Sequence, residues 1–416
     1  MDRNLRLLGV GVGIRSLGNA LYFPFLALFL HSVLAVGYFE IGLIIAGVGV
    51  VQLPFSLVGG LLTDRVGRKN LILIGLGSEA VATLGLAYAF ELHSLSGAIL
   101  AATIGGSIST ASGPAFSAYI ADYAVGSERT RGFTWFRIGF NAGYSVGVTM
   151  GGLLVAALGF AWAVGIAAAV VGGGALLMFF ALNPSPFDRA LRTARASPSK
   201  AATREVVPPP GSLRQSLSAL ARDRLALQVA VGFALGGIFL GQWPITFPLF
   251  VHNVLGISYS LLGLGLALNG LVVVFGQSTT TESVLGMRHT TIFILGLAVT
   301  AVAYLGLGIA GLFLVFPTVV FFLAVIVLTF GENLVTIPLS TLPSNLAPPS
   351  EVGSYNGAFQ TIGGAGFLLS VIVGGAVLSL TANPLLIWTL LAAPAIPAMI
   401  LLRWAAHRIP LGTDRA

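Results

Sequence analysis

The 416-residue chain is 56% hydrophobic and only 8% charged, with a mean hydropathy of +0.95, which excludes a soluble globular domain. Its net charge of +7 does not point to nucleic acid, because the basic residues sit on alternate connections between apolar runs. With no cysteine and five scattered histidines, disulfides and zinc-like ligand sets are excluded, and no metal or other cofactor is implied.

Arg3 and Arg6 lead directly into an apolar run of full spanning length, without the short core and cleavage site of a secretory signal. Runs long enough to cross a bilayer cover Leu8–Leu30, Ile41–Leu62, Leu71–Phe90, Ala98–Ile120, Gly132–Leu158 and Trp162–Leu182. Asn183–Arg224 follows, rich in Arg and Lys and containing Pro208-Pro209-Pro210. It reads as a mobile cytoplasmic tether whose charges suit anionic lipid, with a short amphipathic helix at Leu213–Leu220. Six more runs cover Ala226–Val251, Leu261–Thr280, Thr290–Ala310, Phe313–Leu342, Gly357–Leu380 and Leu385–Trp404. The expectation is an all-α membrane protein of twelve transmembrane helices, divided into 1–182, a linker 183–225, and 226–416. The Lys and Arg of the connections fall only on alternate ones, which places both termini in the cytoplasm, and a multi-pass setting in the plasma membrane is the expectation.

An internal repeat supports the division. His31, Val33, Leu34, Tyr38 and Gly42 recur 221 positions later as His252, Val254, Leu255, Tyr259 and Gly263. Glu128, Gly143, Gly151 and Gly152 recur at an offset of 223 as Glu351, Gly366, Gly374 and Gly375. This describes two parallel six-helix repeats.

Between the second and third runs lies Gly60-Leu61-Leu62-Thr63-Asp64-Arg65-Val66-Gly67-Arg68-Lys69, a tight polar loop with a glycine for the turn. It resembles the G-x-L-x-D-R-x-G-R-K loop signature of the major facilitator superfamily, and every fixed position is met. The resemblance implies a conformational latch of Gly60, Asp64, Arg65, Gly67, Arg68 and Asp122. Arg68 is expected to pair with Asp122, and Asp64 to face the amino end of helix 11 near Gly353–Gly357. In the second half the same loop reads Glu282-Ser283-Val284-Leu285-Gly286-Met287-Arg288, without the Asp and the first Arg pair. Either the first loop does a job that is not duplicated, or Glu282 serves a looser version.

Helix 5 carries Gly143, Gly147, Gly151 and Gly152 at helical spacing, a helix-packing motif that resembles the superfamily's antiporter motif with Val148 in place of its proline. In helix 4, Ala102 or Thr103 stands where proton-coupled drug exporters carry an arginine. Phe330-Gly331-Glu332-Asn333-Leu334 with Pro338, Ala347-Pro348 and Gly353-x-Tyr355-x-Gly357 is similar to an arrangement in multidrug-type facilitators.

Away from the ends of the apolar runs, four full charges lie within them, Arg15, Glu79, Arg137 and Glu332, and each is costly there and therefore a functional candidate. By the family's fold Arg15 and Glu332 line the central cavity, Glu332 serves proton coupling, and Glu79 is the next candidate or a paired structural group. Arg137 either lines the cavity or extends to the boundary. Glu332 either titrates during transport, or pairs permanently with Arg15 or hydrogen-bonds across the bundle. Asn19, Tyr22, Asn141, Gln242, Trp243, Asn269 and Gln360 complete a cavity suited to a small amphiphilic substrate.

The sequence thus predicts a secondary transporter, resembling proton-coupled exporters of drug-like compounds, with a small molecule, protons and the lipid bilayer as partners and a monomer as the family expectation. A nutrient symporter or uniporter is the alternative within transport, and a non-transporting sensor or scaffold the alternative outside it. No P-loop, nucleophile, metal set or carboxylate pair suggests an enzyme.

Overall fold

Helix is the only regular structure among the described residues, which are 2–124, 126–196, 218, 220–243, 245–313, 316–348 and 351–415 of the computed structural model. The first half runs through α1 (Arg3–Ala20), a 3-10 turn (Phe23–Phe25), α2 (Leu26–Ser32), α3 (Tyr38–Val66), α4 (Arg68–Glu91), α5 (Leu95–Ala111), α6 (Gly113–Tyr123), α7 (Gly126–Leu158) and α8 (Phe160–Ala181). A further helix, α9 (Pro186–Ala196), follows. The second half contains α10 (Arg224–Leu240), α11 (Thr246–Asn253), α12 (Tyr259–Ser283), α13 (His289–Phe313), α14 (Pro317–Leu346), α15 (Val352–Leu380), α16 (Pro384–Ala392) and α17 (Ala395–Ala406).

Among the described residues, eleven helical spans are long and apolar enough to cross a bilayer. The twelfth expected run, Ala226–Val251, is broken into α10 and α11 around Gly241–Trp243, just before Pro244, whose nitrogen carries no hydrogen to continue a helix. Three other runs are also interrupted where a proline or a tight cap intervenes. Pro24 sits in the 3-10 turn between α1 and α2, Pro114 in the first turn of α6, and Pro394 at the start of α17. By contrast Pro338 and Pro343 lie inside a continuous α14.

The chain forms two compact units, one of Met1–Phe29 with Gly47–Pro210, the other of Leu30–Ala46 with Gly211–Ala416. The division at 183–225 expected from the sequence does not anticipate that the start of α3 belongs with the second unit. There the Phe39 N–H donates to Ser379 Oγ at 3.1 Å and Asn253 Nδ2 to the Tyr38 hydroxyl at 3.3 Å. The backbones come this close because Gly42 faces the Val371 carbonyl and Gly375 the Tyr38 carbonyl, with no room for a side chain on either.

The first unit has its core where α1, α4 and α6 meet, around Leu8, Ile72, Leu76, Phe116 and Tyr119. In the second, the Tyr304 and Trp388 rings meet at 4.4 Å, tilted by 32°, and are flanked by Phe239 and Phe250. Each unit also exposes large apolar side chains, Val81 and Phe180 on one and Phe275 and Leu380 on the other, all more than 70% accessible. Water would make that surface a liability, whereas lipid is its ordinary neighbour.

The sequence repeat is reproduced atom by atom at the loops. His31 places Nδ1 3.0 Å from the Val36 carbonyl and stacks on Tyr38 at 4.2 Å; His252 places Nδ1 2.8 Å from the Ile257 carbonyl and stacks on Tyr259 at 4.2 Å. A ring nitrogen facing a carbonyl must carry the proton, so both imidazoles hold the same tautomer.

The stretch after α8 differs from the expected mobile tether. Asn183–Ala196 is ordered by α9, which packs against α4 and α6. The expected helix at Leu213–Leu220 and the Pro208–Pro210 run lie outside the described residues, apart from positions 218 and 220.

Candidate functional site

Arg15, Asn19 and Tyr22 recur at i, i+4 and i+7, which puts them on one stripe of α1 and its terminal turn. The stripe meets Glu79 of α4 and Ser109 of α5. Arg15 Nε–H donates to Glu79 Oε2 at 2.8 Å and Nη2–H to Ser109 Oγ at 2.7 Å, and Asn19 Nδ2–H donates to Glu79 Oε1 at 2.5 Å. Ser109 Oγ–H donates in turn to Glu79 Oε2, and the Tyr22 hydroxyl lies 3.5 Å from Asn19 Oδ1. Glu79 is buried, and both of its oxygens are satisfied. An ionised carboxylate taken out of water needs such compensation, which here comes from one cation and one amide on α1 and one hydroxyl on α5. The ion-pair partner of Arg15 is therefore Glu79, and its guanidinium also lies 5.5 Å over the Phe116 ring.

In the second unit Glu332 is handled differently. Asn269 Nδ2 of α12 donates to Glu332 Oε2 at 3.0 Å and to Thr329 Oγ1 at 2.9 Å, but the Glu332 side chain remains exposed. Its exposure is not on the lipid-type side of α14. The apolar stripe there is Val319, Leu323 and Phe330, and at 100° per residue Glu332 lies about 200° around from Phe330, near Thr336 and Leu339. The next residue, Asn333, is 1% exposed, and neither polar atom of its side chain has a hydrogen-bond partner; Gln277 Oε1 beside it is likewise buried without one.

The other cavity residues separate into two groups. Arg137 is exposed on α7, and Asn141 donates from Nδ2 to the Arg137 carbonyl at 3.0 Å. Both lie off the apolar stripe formed by Ile138, Val146 and Met150. Gln360 is also exposed. Gln242 is not available to a ligand. It is 1% exposed, donates to the Ile238 and Ser370 carbonyls at 2.7 and 3.2 Å, and accepts from Thr246 Oγ1 at 2.7 Å, so it ties the broken run to α15. Trp243 stacks on Phe247 at 4.6 Å.

The signature loop is the densest polar cluster. Gly67 adopts φ 97°, a backbone conformation that favours glycine, and opens α4. Arg68 Nη1–H donates to Asp64 Oδ1 at 2.8 Å and to the Thr63 carbonyl at 3.0 Å, Nε–H donates to Asp122 Oδ2 at 3.1 Å, and its guanidinium lies 3.3 Å over the Phe187 ring. Arg65 is exposed. Gly60 has open space around it; the close approach is made by its neighbour Gly59, where a side chain would strike the Ala111 carbonyl. On α7, side chains at Gly143, Gly147 and Gly151 would strike the carbonyls of Gly13, Leu17 and Leu21, so α1 and α7 touch backbone to backbone.

Asp188 is the member of this cluster that the sequence reading missed. It accepts the backbone N–H groups of Arg68 and Lys69 at 2.6 and 3.1 Å, neutralising the orphan donors that start α4. It also exchanges hydrogen bonds with Ser185, whose hydroxyl donates to Asp122 Oδ2 at 2.7 Å. A signal existed, because Ser185-Pro186-Phe187-Asp188 has capping-box spacing. The second half has a counterpart: Asp414, fully buried, accepts from the Thr290 N–H at 3.1 Å and its hydroxyl at 2.7 Å, while its carbonyl accepts from the His289 N–H at 2.6 Å. Glu282, considered from sequence for a looser latch, is exposed, and Arg288 donates instead to the Ala406 carbonyl.

A family model described as Major Facilitator Superfamily matches residues 8–371. The uncharacterized MFS-type transporter YttB of Bacillus subtilis (strain 168) is 26% identical over 377 residues, 90% of this chain and 88% of that one. The quinolone resistance protein NorA of Staphylococcus aureus is 27% identical over 154 residues, 37% of this chain and 39% of NorA. Among solved structures, the POT family transporter PepTSo superposes with a TM-score of 0.75 at 18% identity, covering 98% of both chains.

Proposed function

Because this chain belongs to the Major Facilitator Superfamily, we propose that it is a secondary transporter working by alternating access, coupled to protons and exporting small amphiphilic compounds. The observation that carries this reading is the contrast between the two intramembrane carboxylates. Glu79 is buried beneath Arg15, Asn19 and Ser109, while Glu332, which accepts from Asn269 at 3.0 Å, is exposed on the face of α14 opposite the stripe of Val319, Leu323 and Phe330. A carboxylate so exposed can exchange a proton with water, and it can meet a cationic group of a ligand directly. The likeness to NorA over part of the chain supports the drug-like substrate class.

Glu332→Gln keeps the side chain's shape and the Asn269 contact while removing its titration. In proteoliposomes this variant should retain ligand exchange but lose gradient-driven transport. Wild-type extrusion against a substrate gradient would move the coupling role to Glu79.

A second reading, uptake of a nutrient by symport or uniport, is favoured by Val148 in place of the antiporter motif's proline and by the absence of an arginine at Ala102 and Thr103. Transport assayed in both directions, with and without a proton gradient, separates the two. Proteoliposomes that bind a ligand but never move it would support the sensor or scaffold reading instead.

A further inference from the structure

The helix after α8 carries a charged face that the transport reading does not use. α9 buries Asp188, Leu191 and Ala194 at three-residue spacing and exposes Arg189, Arg192 and Arg195 at the same spacing. Its one acidic residue, Asp188, is occupied at the start of α4, so nothing on α9 offsets the arginine row. The row adjoins the ends of three spanning helices. Arg195 donates to the carbonyl of exposed Arg65 at the end of α3, and Lys69 Nζ at the start of α4 donates to the Phe179 carbonyl of α8 at 2.9 Å. Only four residues separate Ala181, the last of α8, from Pro186, a link that reaches about 17 Å when fully extended. α9 therefore stays at the depth where a spanning helix leaves the membrane.

We propose that Arg189, Arg192, Arg195 and Arg65 form a binding surface for the headgroups of anionic phospholipids. Guanidinium groups suit phosphate because their donors form a planar fork. The positive-inside pattern assigns this boundary to the cytoplasmic leaflet, whose anionic lipids attract each nearby arginine by about fivefold in affinity. A headgroup there would also steady the signature loop, because α9 reaches it through Asp188 on the Arg68 N–H and through Ser185 on Asp122.

The test uses the full-length protein, delipidated in detergent and offered phosphatidylglycerol and phosphatidylcholine together, with retained lipid counted by mass spectrometry. Wild type should prefer phosphatidylglycerol and lose much of that preference at about 0.5 M salt, where exposed charges are screened. The triple variant Arg189→Gln, Arg192→Gln, Arg195→Gln should lower the preference by roughly tenfold or more, and the corresponding triple Lys variant should largely restore it. An unchanged preference in the Gln variant overturns the proposal. So does displacement of phosphatidylglycerol by millimolar glycerol phosphate, which would mark a site for a soluble phosphate. If the triple variant does not run as folded protein, Arg192→Gln alone must show a partial loss, and wild-type retention in that variant also overturns the proposal.

Discussion

Asp188 Oδ1 accepts the backbone N–H of Arg68 at 2.6 Å, so a residue beyond the sixth span caps the helix that the signature loop opens. The second half solves the same problem with Asp414, beyond the twelfth span, on Thr290. Both helices start in a buried setting where free N–H groups would be costly, and both borrow a carboxylate distant in sequence.

Removing that carboxylate has a definite expected cost. Asp188→Ala leaves three backbone donors, on Arg68, Lys69 and Ser185, without their acceptor and should lower stability by about 1–2 kcal/mol. Asp414→Ala should do the same at Thr290. Thermal unfolding followed in detergent reads both. A midpoint within error of wild type for either variant would show that water replaces the cap at no cost.

These caps show where sequence reading stops. The loop signature, the spanning runs and the four intramembrane charges were legible because each is a local pattern or a composition anomaly. The Ser185–Asp188 capping box went unread, and the role of Asp188 on Arg68 had no local pattern to reveal it, since the two are 120 positions apart. Arg15 and Glu79 were both recognisable as costly charges, yet their pairing joins α1 to α4 across 64 positions. Gln242 was read as cavity surface because its residue type suits one; its hydrogen bonds to Ile238 and Ser370 depend on the break between α10 and α11. Breaks of that kind are invisible to a hydropathy window, which registers only apolar content.

The Arg15–Glu79 pair should behave as a unit. Arg15→Gln strands a buried carboxylate and should cost about 3–5 kcal/mol, and Glu79→Gln should cost less because the more exposed arginine can reach water. The double variant should be more stable than Arg15→Gln alone. A double-mutant cycle on thermal stability measures the coupling, and additive effects would mean that the two side chains do not interact.

Asp64 is one of two carboxylates on Arg68, with 28% of its side chain accessible, so Asp64→Asn leaves Arg68 held by Asp122 and the Thr63 carbonyl. Its stability should change by less than about 1 kcal/mol. If Asp64 latches one state of the transport cycle, the variant should instead change the labelling of single cysteines introduced near the C-terminal ends of α3 and α14. The chain has no cysteine of its own, which keeps such labelling free of background. Unaltered labelling at every position tested would exclude a latch.

Gly59 and Gly60 separate packing from motion. A side chain at Gly59 would strike the Ala111 backbone, which cannot give way as a flexible side chain can, so Gly59→Ala should cost about 1–3 kcal/mol. Gly60 is the fixed position of the signature, but nothing lies near where its side chain would be. Alanine is the better helix former by about 1 kcal/mol, so Gly60→Ala should leave this structure as stable as wild type or more so. If the signature glycine serves the transport cycle, it does so in another conformation, where α3 meets a backbone it does not meet here. Gly60→Ala is expected to combine undiminished thermal stability with slowed transport in proteoliposomes, whereas Gly59→Ala should lose stability first. Equal destabilisation by the two substitutions would show that Gly60 serves packing in this state, and wild-type transport by Gly60→Ala would remove the need for a second conformation in which it is buried.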